Sequence, residues 1–282
     1  MRNLLSTHLL RLRKDVLFWL ALAVCLVSGV VFAVSFGKTP AFDDFYFFPL
    51  FIALCVLVSF FLGREYRDGT LRSKLIAGYR RGQLYGAGLL VAVGSTLLCL
   101  LLFFLPLVVL NYQTLAALGT EILLPVLAGV VLLTVALAAI LTAVGFSVPS
   151  LAAGAIVSLA LWLVTMLGAY QIEFALGQPE YVQEIKVTAK GEEIRGPKTP
   201  NPSYLGGPLR PVFQVLELCL PNGQLNYYVS YLTSCLYQQE HLDLDLEVEE
   251  SAFLSQAPVC SLAVTAGASA LGLAVFRRKD LK

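Results

Sequence analysis

The sequence Gly63-Arg-Glu-Tyr-Arg-Asp-Gly-Thr-Leu-Arg-Ser-Lys-Leu-Ile-Ala-Gly-Tyr-Arg-Arg-Gly82 separates two long apolar runs. This polar island (residues 63–82) holds six of the chain's 20 lysines and arginines. The flanking runs, 45–63 and 84–110, contain no charged residue. A helix needs about 20 apolar residues to cross the hydrocarbon core of a bilayer. Each flank therefore predicts a membrane-spanning helix, and the island lies in the loop between the two.

Runs of this kind recur along the chain and predict six transmembrane helices. They are Val16–Phe36, Phe45–Gly63, Leu84–Leu110, Ile122–Phe146, Leu151–Tyr170 and Val259–Phe276. The whole chain is 57% hydrophobic and 14% charged, whereas soluble domains carry about 25% charged residues. The runs do not alternate apolar with polar residues, as the strands of a membrane barrel do. The predicted fold class is an all-α polytopic membrane protein.

The basic residues predict the orientation of these spans. Four precede Asp15, six lie in the island and four follow Phe276, whereas the two short loops of the other side hold only Lys38. Lysine and arginine in short loops mark the cytoplasmic side. Both termini are therefore expected in the cytoplasm. The first run is longer than the apolar region of a signal peptide, so it is expected to remain as a helix.

Residues 1–15 are predicted to form an amphipathic helix on the cytoplasmic membrane surface, since Leu5, Leu9 and Leu12 recur at helical spacing. The alternative is a simple basic anchor for the first span. His8 is expected to be an interfacial side chain rather than a ligand. The remaining chain divides into three parts. They are 16–170 with spans one to five and the loop 64–83, 171–258 as a small mixed extracellular segment, and 259–282 with span six and a cytoplasmic tail.

The extracellular segment has its own local patterns. Glu184–Ile194 predicts a hairpin, and Val212–Leu220 and Leu225–Tyr237 predict short amphipathic helices. Residues 242–248 alternate leucine or valine with acids, which predicts an edge strand. A calcium site in this acidic stretch is the alternative, but the spacing and glycine of an EF-hand are missing. No metal site is therefore assigned.

Cysteines occur both in the predicted spans and in the extracellular segment. Cys219 and Cys235 lie in the extracellular segment, where oxidation is allowed, so a disulfide between them is left open. The other four lie in predicted spans and are expected to be packing residues. They are Cys25, Cys55, Cys99 and Cys260.

The residues that several kinds of protein chemistry require are missing from the sequence. The chain has no P-loop motif and only two histidines, His8 and His241, on opposite predicted sides of the membrane. The spans carry no aspartate, glutamate, lysine, arginine or histidine, and ion-coupled carriers usually need such a residue. The net charge of +1 gives no reason to expect a nucleic-acid partner. The chain is therefore not expected to be an enzyme, and if it transports, its energy comes from another chain and its cargo is hydrophobic or amphipathic.

The island itself predicts a helix stop followed by a restart. Asp68-Gly69-Thr70 breaks the helix that leaves the membrane, and Thr70 can cap a new one. Leu71 and Leu75 then form an apolar ridge, and Gly78 ends the helix. Such a helix suits a groove in a partner protein. The alternative is a solvated basic loop that serves only topology.

The stretch Phe61-Leu-Gly-Arg-Glu-Tyr-Arg-Asp-Gly-Thr-Leu-Arg-Ser-Lys-Leu75, followed by Gly78 and Arg81, resembles the segment after the second span in ATP-binding cassette (ABC) type-2 exporter permeases. The resemblance is closest to a branch found in Gram-positive bacteria. Asn201–Tyr204 and Leu220–Gln224 resemble that branch more weakly. The six-span layout agrees along the whole chain, but the specific motif covers only about 20 residues of it.

The resemblance implies a permease subunit in a bacterial cell membrane. Its partners would be two copies of a separate ABC ATPase, which hold the ATP and magnesium, and a second permease, identical or related, with membrane lipid around them. The segment matching Glu65–Leu75 would be the coupling helix that docks on the ATPase. The implied docking residues are Glu65, Thr70, Leu71, Arg72, Lys74, Leu75 and Gly78. The second function kept open is a non-transporting membrane sensor or scaffold whose extracellular segment binds a ligand.

Overall fold

A computed structural model describes residues 2–36, 47–187, 193–240 and 252–279. Within these ranges the chain folds into eleven helices and one two-stranded sheet, which confirms the predicted all-α class. The helices are α1 (Arg2–Arg13), α2 (Val16–Ser35), α3 (Phe48–Arg67), α4 (Thr70–Ile76), α5 (Arg81–Leu110), α6 (Tyr112–Leu118), α7 (Thr120–Ser147), α8 (Leu151–Leu176), α9 (Leu209–Cys219), α10 (Pro221–Glu240) and α11 (Ala252–Arg278). The strands are β1 (Tyr181–Val187) and β2 (Glu193–Pro200).

Six of the helices are long and apolar enough to cross a membrane: α2, α3, α5, α7, α8 and α11. They coincide with the six predicted runs, so the chain is a multi-pass membrane protein. Packing centres on α7, which contacts α3, α5, α10 and α11, while α2 lies along α5 and α8 along α3. Close crossings depend on small residues, because a Cβ added at Gly29 of α2 would lie 2.2 Å from the carbonyl oxygen of Phe103 in α5.

The bundle has two ends, which differ in what they carry. The island end carries α1, α4 and the termini of the described chain, and the far end carries α6, the sheet, α9 and α10. At the island end, basic side chains satisfy the last carbonyls of two helices. Arg81 Nη1 donates to the carbonyl of Arg277 at 2.6 Å and to that of Lys279 at 2.7 Å. Lys279 Nζ in turn donates to the carbonyl of Ser147 at 2.8 Å.

The far end follows the predicted elements with changed bounds. The hairpin is present as an antiparallel pair and is longer than predicted, because its strands extend back to Tyr181 and on to Pro200. Helix α10 begins at Pro221, four residues before the predicted start at Leu225, since proline suits the first helical position. The acidic alternation at 242–248, with its calcium alternative, lies outside the described residues.

The disulfide left open between Cys219 and Cys235 is not formed. Helix α10 runs without interruption from Pro221, two residues after Cys219, to Glu240. At 1.5 Å per residue, Cys235 lies about 21 Å along the axis from Pro221. Disulfide partners need Cα atoms within about 7 Å. A continuous α10 therefore excludes this pairing.

Candidate functional site

The polar island folds as a helix stop and restart at the island end. Helix α3 ends at Arg67, Gly69 adopts φ 63°, and α4 begins at Thr70. Gly69, rather than Thr70, is the N-cap residue, because only the glycine tolerates the left-handed backbone there. The Thr70 hydroxyl instead donates to the carbonyl of Glu65 at 3.1 Å, which ties α4 back to α3. After α4, Gly78 takes φ 90° and turns the chain toward α5.

A buried carboxylate organises this junction. Glu65 is only 1% exposed, and its two oxygens accept from Arg11 Nη1 of α1 at 2.8 Å and from Lys74 Nζ of α4 at 2.6 Å. Arg11 also pairs with Asp68. Asp68 is more exposed and also pairs with Arg67 at 3.1 Å, whereas the buried Glu65 has both of its oxygens paired with cations, as a buried charge requires. This charge cluster (Arg11, Glu65, Asp68, Lys74) joins three helices through their side chains.

His8 completes the cluster and is only 3% exposed, so its predicted interfacial position is wrong. Lys74 Nζ lies 3.3 Å from Nε2, and Glu65 Oε1 lies 3.6 Å from Nδ1. Because an ammonium can only donate, Nε2 is the acceptor and the ring proton resides on Nδ1, facing Glu65. Burial lowers the pKa of His8 below 6.5; nearby Glu65 opposes this shift, and Lys74 and Arg11 add to it.

The apolar ridge of α4 faces this chain rather than outward. Leu71 is 3% exposed and belongs to the core, and Leu75 packs partly buried against that core. Lys74 lies at i+3 from Leu71 and shares its face. The outer face of α4 presents Arg72 and Ile76, the latter 79% exposed. The structure thus directs five of the seven implied docking residues inward: Glu65, Thr70, Leu71, Lys74 and Leu75.

A second ion pair, absent from the sequence interpretation, holds α2 to α3. Asp15 is the N-cap of α2 and accepts from the Leu17 backbone N–H at 3.0 Å. Its other oxygen lies 2.5 Å from Arg64 Nη1. The signal for the cap was present, because an aspartate immediately before an apolar run is a preferred N-cap. Arg64, which pairs with Asp15, lies 49 positions further along the chain, so no local sequence pattern identifies this ion pair.

At the far end, neutral amides take the place of charges. Gln224, 1% exposed, donates through Nε2 to the carbonyls of Leu218 and Ala257, the second at 3.2 Å, and accepts from Ser261 Oγ at 2.7 Å. Asn222 Nδ2 donates to the carbonyl of Trp162 at 3.4 Å. This amide network fixes the start of α10 to α8, α9 and α11. No sequence pattern in Leu220–Gln224 predicts this network, because its partners lie on other helices.

Two carboxyl groups lie next to the amide network. Asn226 Nδ2 donates to Glu173 Oε2 at 2.8 Å. Burial, and secondarily the neighbouring Glu173, raise the pKa of Glu217 from 4.5 to about 7. Glu217 therefore changes protonation near neutral pH, unlike an ordinary surface glutamate.

The far end also contains an apolar cavity of about 310 Å³. Its walls come from α2, α5, α6, α7 and α10 and are almost entirely apolar. They include Phe32, Phe104, Leu107, Tyr112, Val126 and Tyr228. The Tyr228 hydroxyl is buried and, among the described residues, finds no hydrogen-bond partner. The cavity is thus suited to apolar groups.

These features define a multi-pass helical membrane protein with a charge-locked helix at one end and an apolar cavity at the other. The described residues contain no group of three or more histidine, cysteine or acidic side chains that could hold a metal ion. No family model, curated protein or solved structure matches the chain.

Proposed function

We propose that this chain is the membrane-embedded subunit of an ATP-driven exporter of the ABC type-2 class, powered by a separate ATPase that docks at the island end. The observation that carries the proposal is the mounting of α4. Its inner face is fixed to α1 and α3 by the charge cluster, and its outer face stands free. A force on the outer face would pass to the spans, because separating buried ion pairs costs several kcal/mol.

The outer face of α4 has the character of a docking surface. Ile76 provides an exposed apolar side chain, and Arg72 provides an exposed cation on the same short helix. Protein interfaces commonly combine an apolar anchor with a surrounding charged group. The partner site that fits is an apolar groove with an acidic edge. In this proposal Arg72 and Ile76 replace Leu71 and Leu75 as the contacts to the ATPase.

ATP and magnesium would be held by the partner, and two ATPases with two permeases would form the working unit. Closure of the ATPases on ATP would draw both α4 helices together and switch the permeases between access states, as in other rigid-body transitions. The proposed cargo is a hydrophobic or amphipathic molecule. The charge-free spans and the apolar far-end cavity support this class, since about 300 Å³ is the lower end for small-molecule pockets.

The test is affinity purification of the chain in mild detergent from its own cells. Arg72→Glu combined with Ile76→Asp should reduce the amount of co-purified ATPase by about tenfold or more, because both contacts would be lost. The matched control is Arg278→Glu, an exposed charge reversal at the same end outside α4. Leu71→Asp would not serve, since Leu71 is buried and its change would disturb the fold.

Normal retention and stimulation of the ATPase by the doubly changed chain would contradict the docking surface. If the unchanged chain brings down no ATPase at all, the transport proposal fails. The sensor or scaffold alternative would then take its place, and the far-end cavity would be the ligand site to examine.

A further inference from the structure

Two thiols meet at the far end of the bundle. Cys219 is the last residue of α9, and Cys260 lies just over two turns into α11. Helices α9 and α11 pack against each other here, and the Cys260 thiol is within hydrogen-bonding reach of the Cys219 side chain. Both side chains are partly exposed at the surface of the helical bundle. The sequence leaves open a disulfide between Cys219 and Cys235 and predicts that Cys260 is a packing residue.

The amide network independently holds these two positions together. Gln224 Nε2 contacts both the carbonyl of Leu218, beside Cys219, and the carbonyl of Ala257. The Ser261 hydroxyl donates to the same side chain at 2.7 Å. Cys260 lies at i+3 from Ala257 and therefore on the face of α11 that meets α9. The backbones are thus held in register without any contribution from sulfur.

The other cysteines of the chain differ in access or position. Cys25 and Cys99 also interact with each other, but both are 0% exposed within apolar spans. Cys235 is buried and lies far along α10. The pair at 219 and 260 is therefore the one that combines proximity with exposure, since all six cysteines lie in the described ranges.

We propose that Cys219 and Cys260 are a disulfide-forming pair that fastens α9 to α11. The reaction is thiol–disulfide exchange with an external disulfide. One thiolate attacks that disulfide, which gives a mixed disulfide and releases one small thiol. The second cysteine, as its thiolate, displaces the other small thiol. Two protein thiols are oxidised to one S–S bond, the external disulfide is reduced to two thiols, and the two protons leave with those thiols.

The bond would close the chain between residues 219 and 260, a stretch that contains α10. It would add a covalent link where Gln224 already joins the same helices by hydrogen bonds. The inference rests on contacts within this chain and is independent of the proposed transport activity.

The test uses the full chain purified in mild detergent and incubated with oxidised glutathione. Remaining thiols are alkylated, and peptides are mapped by mass spectrometry without reduction. The expected result is a linked Cys219–Cys260 peptide, two hydrogen atoms lighter than the sum of its parts, that disappears with dithiothreitol. Cys235→Ser should leave the link unchanged. Cys260→Ser should abolish it and leave glutathione attached to Cys219.

Two results would overturn the proposal. One is alkylation of both Cys219 and Cys260 after the folded, unchanged chain has been oxidised. The other is a link between Cys219 and Cys235. Cys25 and Cys99 provide an internal control, since both should escape oxidation in the folded chain because of their burial.

Discussion

The two ends of the bundle attach helices to the spans with different kinds of polar side chain. Each fixes a helix outside the spans to the spans through buried polar side chains. The island end uses a carboxylate between two cations, centred on Glu65, whereas the far end uses a neutral carboxamide, Gln224. An amide both donates and accepts, so it can satisfy carbonyls and a hydroxyl without carrying charge. A buried ion needs its counter-ion in place, so losing one polar partner should reduce stability more at the island end than at the far end.

The position of each cluster explains why the island end uses charged side chains and the far end uses neutral amides. The charge cluster lies beyond the apolar run that ends at Gly63, where Arg11 and Asp68 still reach the surface. The amide network joins the N-terminal turn of α10 to α8 and α11, between apolar helices. Burying a full charge among apolar spans is far more costly than burying an amide that makes all its hydrogen bonds. The comparison predicts a graded set of effects.

The largest effect is expected for Glu65→Gln. The change keeps the shape of the side chain but leaves Arg11 and Lys74 facing each other without their shared anion. Breaking a buried pair in this way typically costs about 3–5 kcal/mol. The thermal midpoint of unfolding in detergent should fall strongly. Trypsin should also cleave at Arg11 or Arg13 more readily, because α1 would be released from α3 and α4.

The control for this change is Asp68→Asn. Asp68 pairs with the same Arg11, but its side chain is 36% exposed, and exposed pairs contribute about 0–1 kcal/mol. Equal losses of stability in the two variants would contradict the view that Glu65 is the organising charge.

Most of the fold could be predicted from the lengths of the hydrophobic runs. Each of the six predicted spans matches an observed helix, because crossing a bilayer requires long charge-free runs and local sequence displays them. The stop at Asp68-Gly69-Thr70 was equally readable, since a glycine there permits the left-handed backbone that α4 requires. These features depend on residues close together in the chain.

The orientation of α4 was not readable from the sequence. A ridge formed by Leu71 and Leu75 fits an external groove as well as it fits the chain's own core. The choice depends on Arg11, 54 positions before Glu65, and on Lys74, nine positions after it. The Cys219–Cys260 contact has the same origin, because helix packing brings together residues that no short motif relates.

A smaller effect is expected for Gln224→Met, which has nearly the same shape. The Ser261 hydroxyl and the carbonyl of Ala257 would lose their buried partner, at a cost of about 1–3 kcal/mol. Hydrogen exchange should increase in the first turns of α10 while α1 stays protected. Gln214→Met, an exposed change on α9, is the control and should have little effect. A loss as large as that of Glu65→Gln would remove the distinction between the two ends.

The smallest effects are expected from pH, and they should have opposite signs at the two ends. Burial lowers the pKa of His8 below 6.5, so detached α1 binds more protons than packed α1. This contribution to stability is present above pH 6.5 and is lost as the pH falls through the lowered value. Burial and Glu173 raise the pKa of Glu217 from 4.5 to about 7, so packed α9 binds more protons. That contribution is present below pH 4.5 and is lost as the pH rises through about 7.

Hydrogen exchange of α1 and α9 between about pH 5 and pH 8, corrected for the intrinsic rate, separates the two contributions. Acid should reduce protection of α1 and increase protection of α9. His8→Asn should remove only the first trend, and Glu217→Gln only the second. Each end titrates through its own buried group, and His8 faces Glu65, Lys74 and Arg11 while Glu217 faces Glu173. If a change at either residue alters both trends, the two ends are coupled through the spans. The contrast between an island end held by the charge cluster and a far end held by the amide network would then not hold.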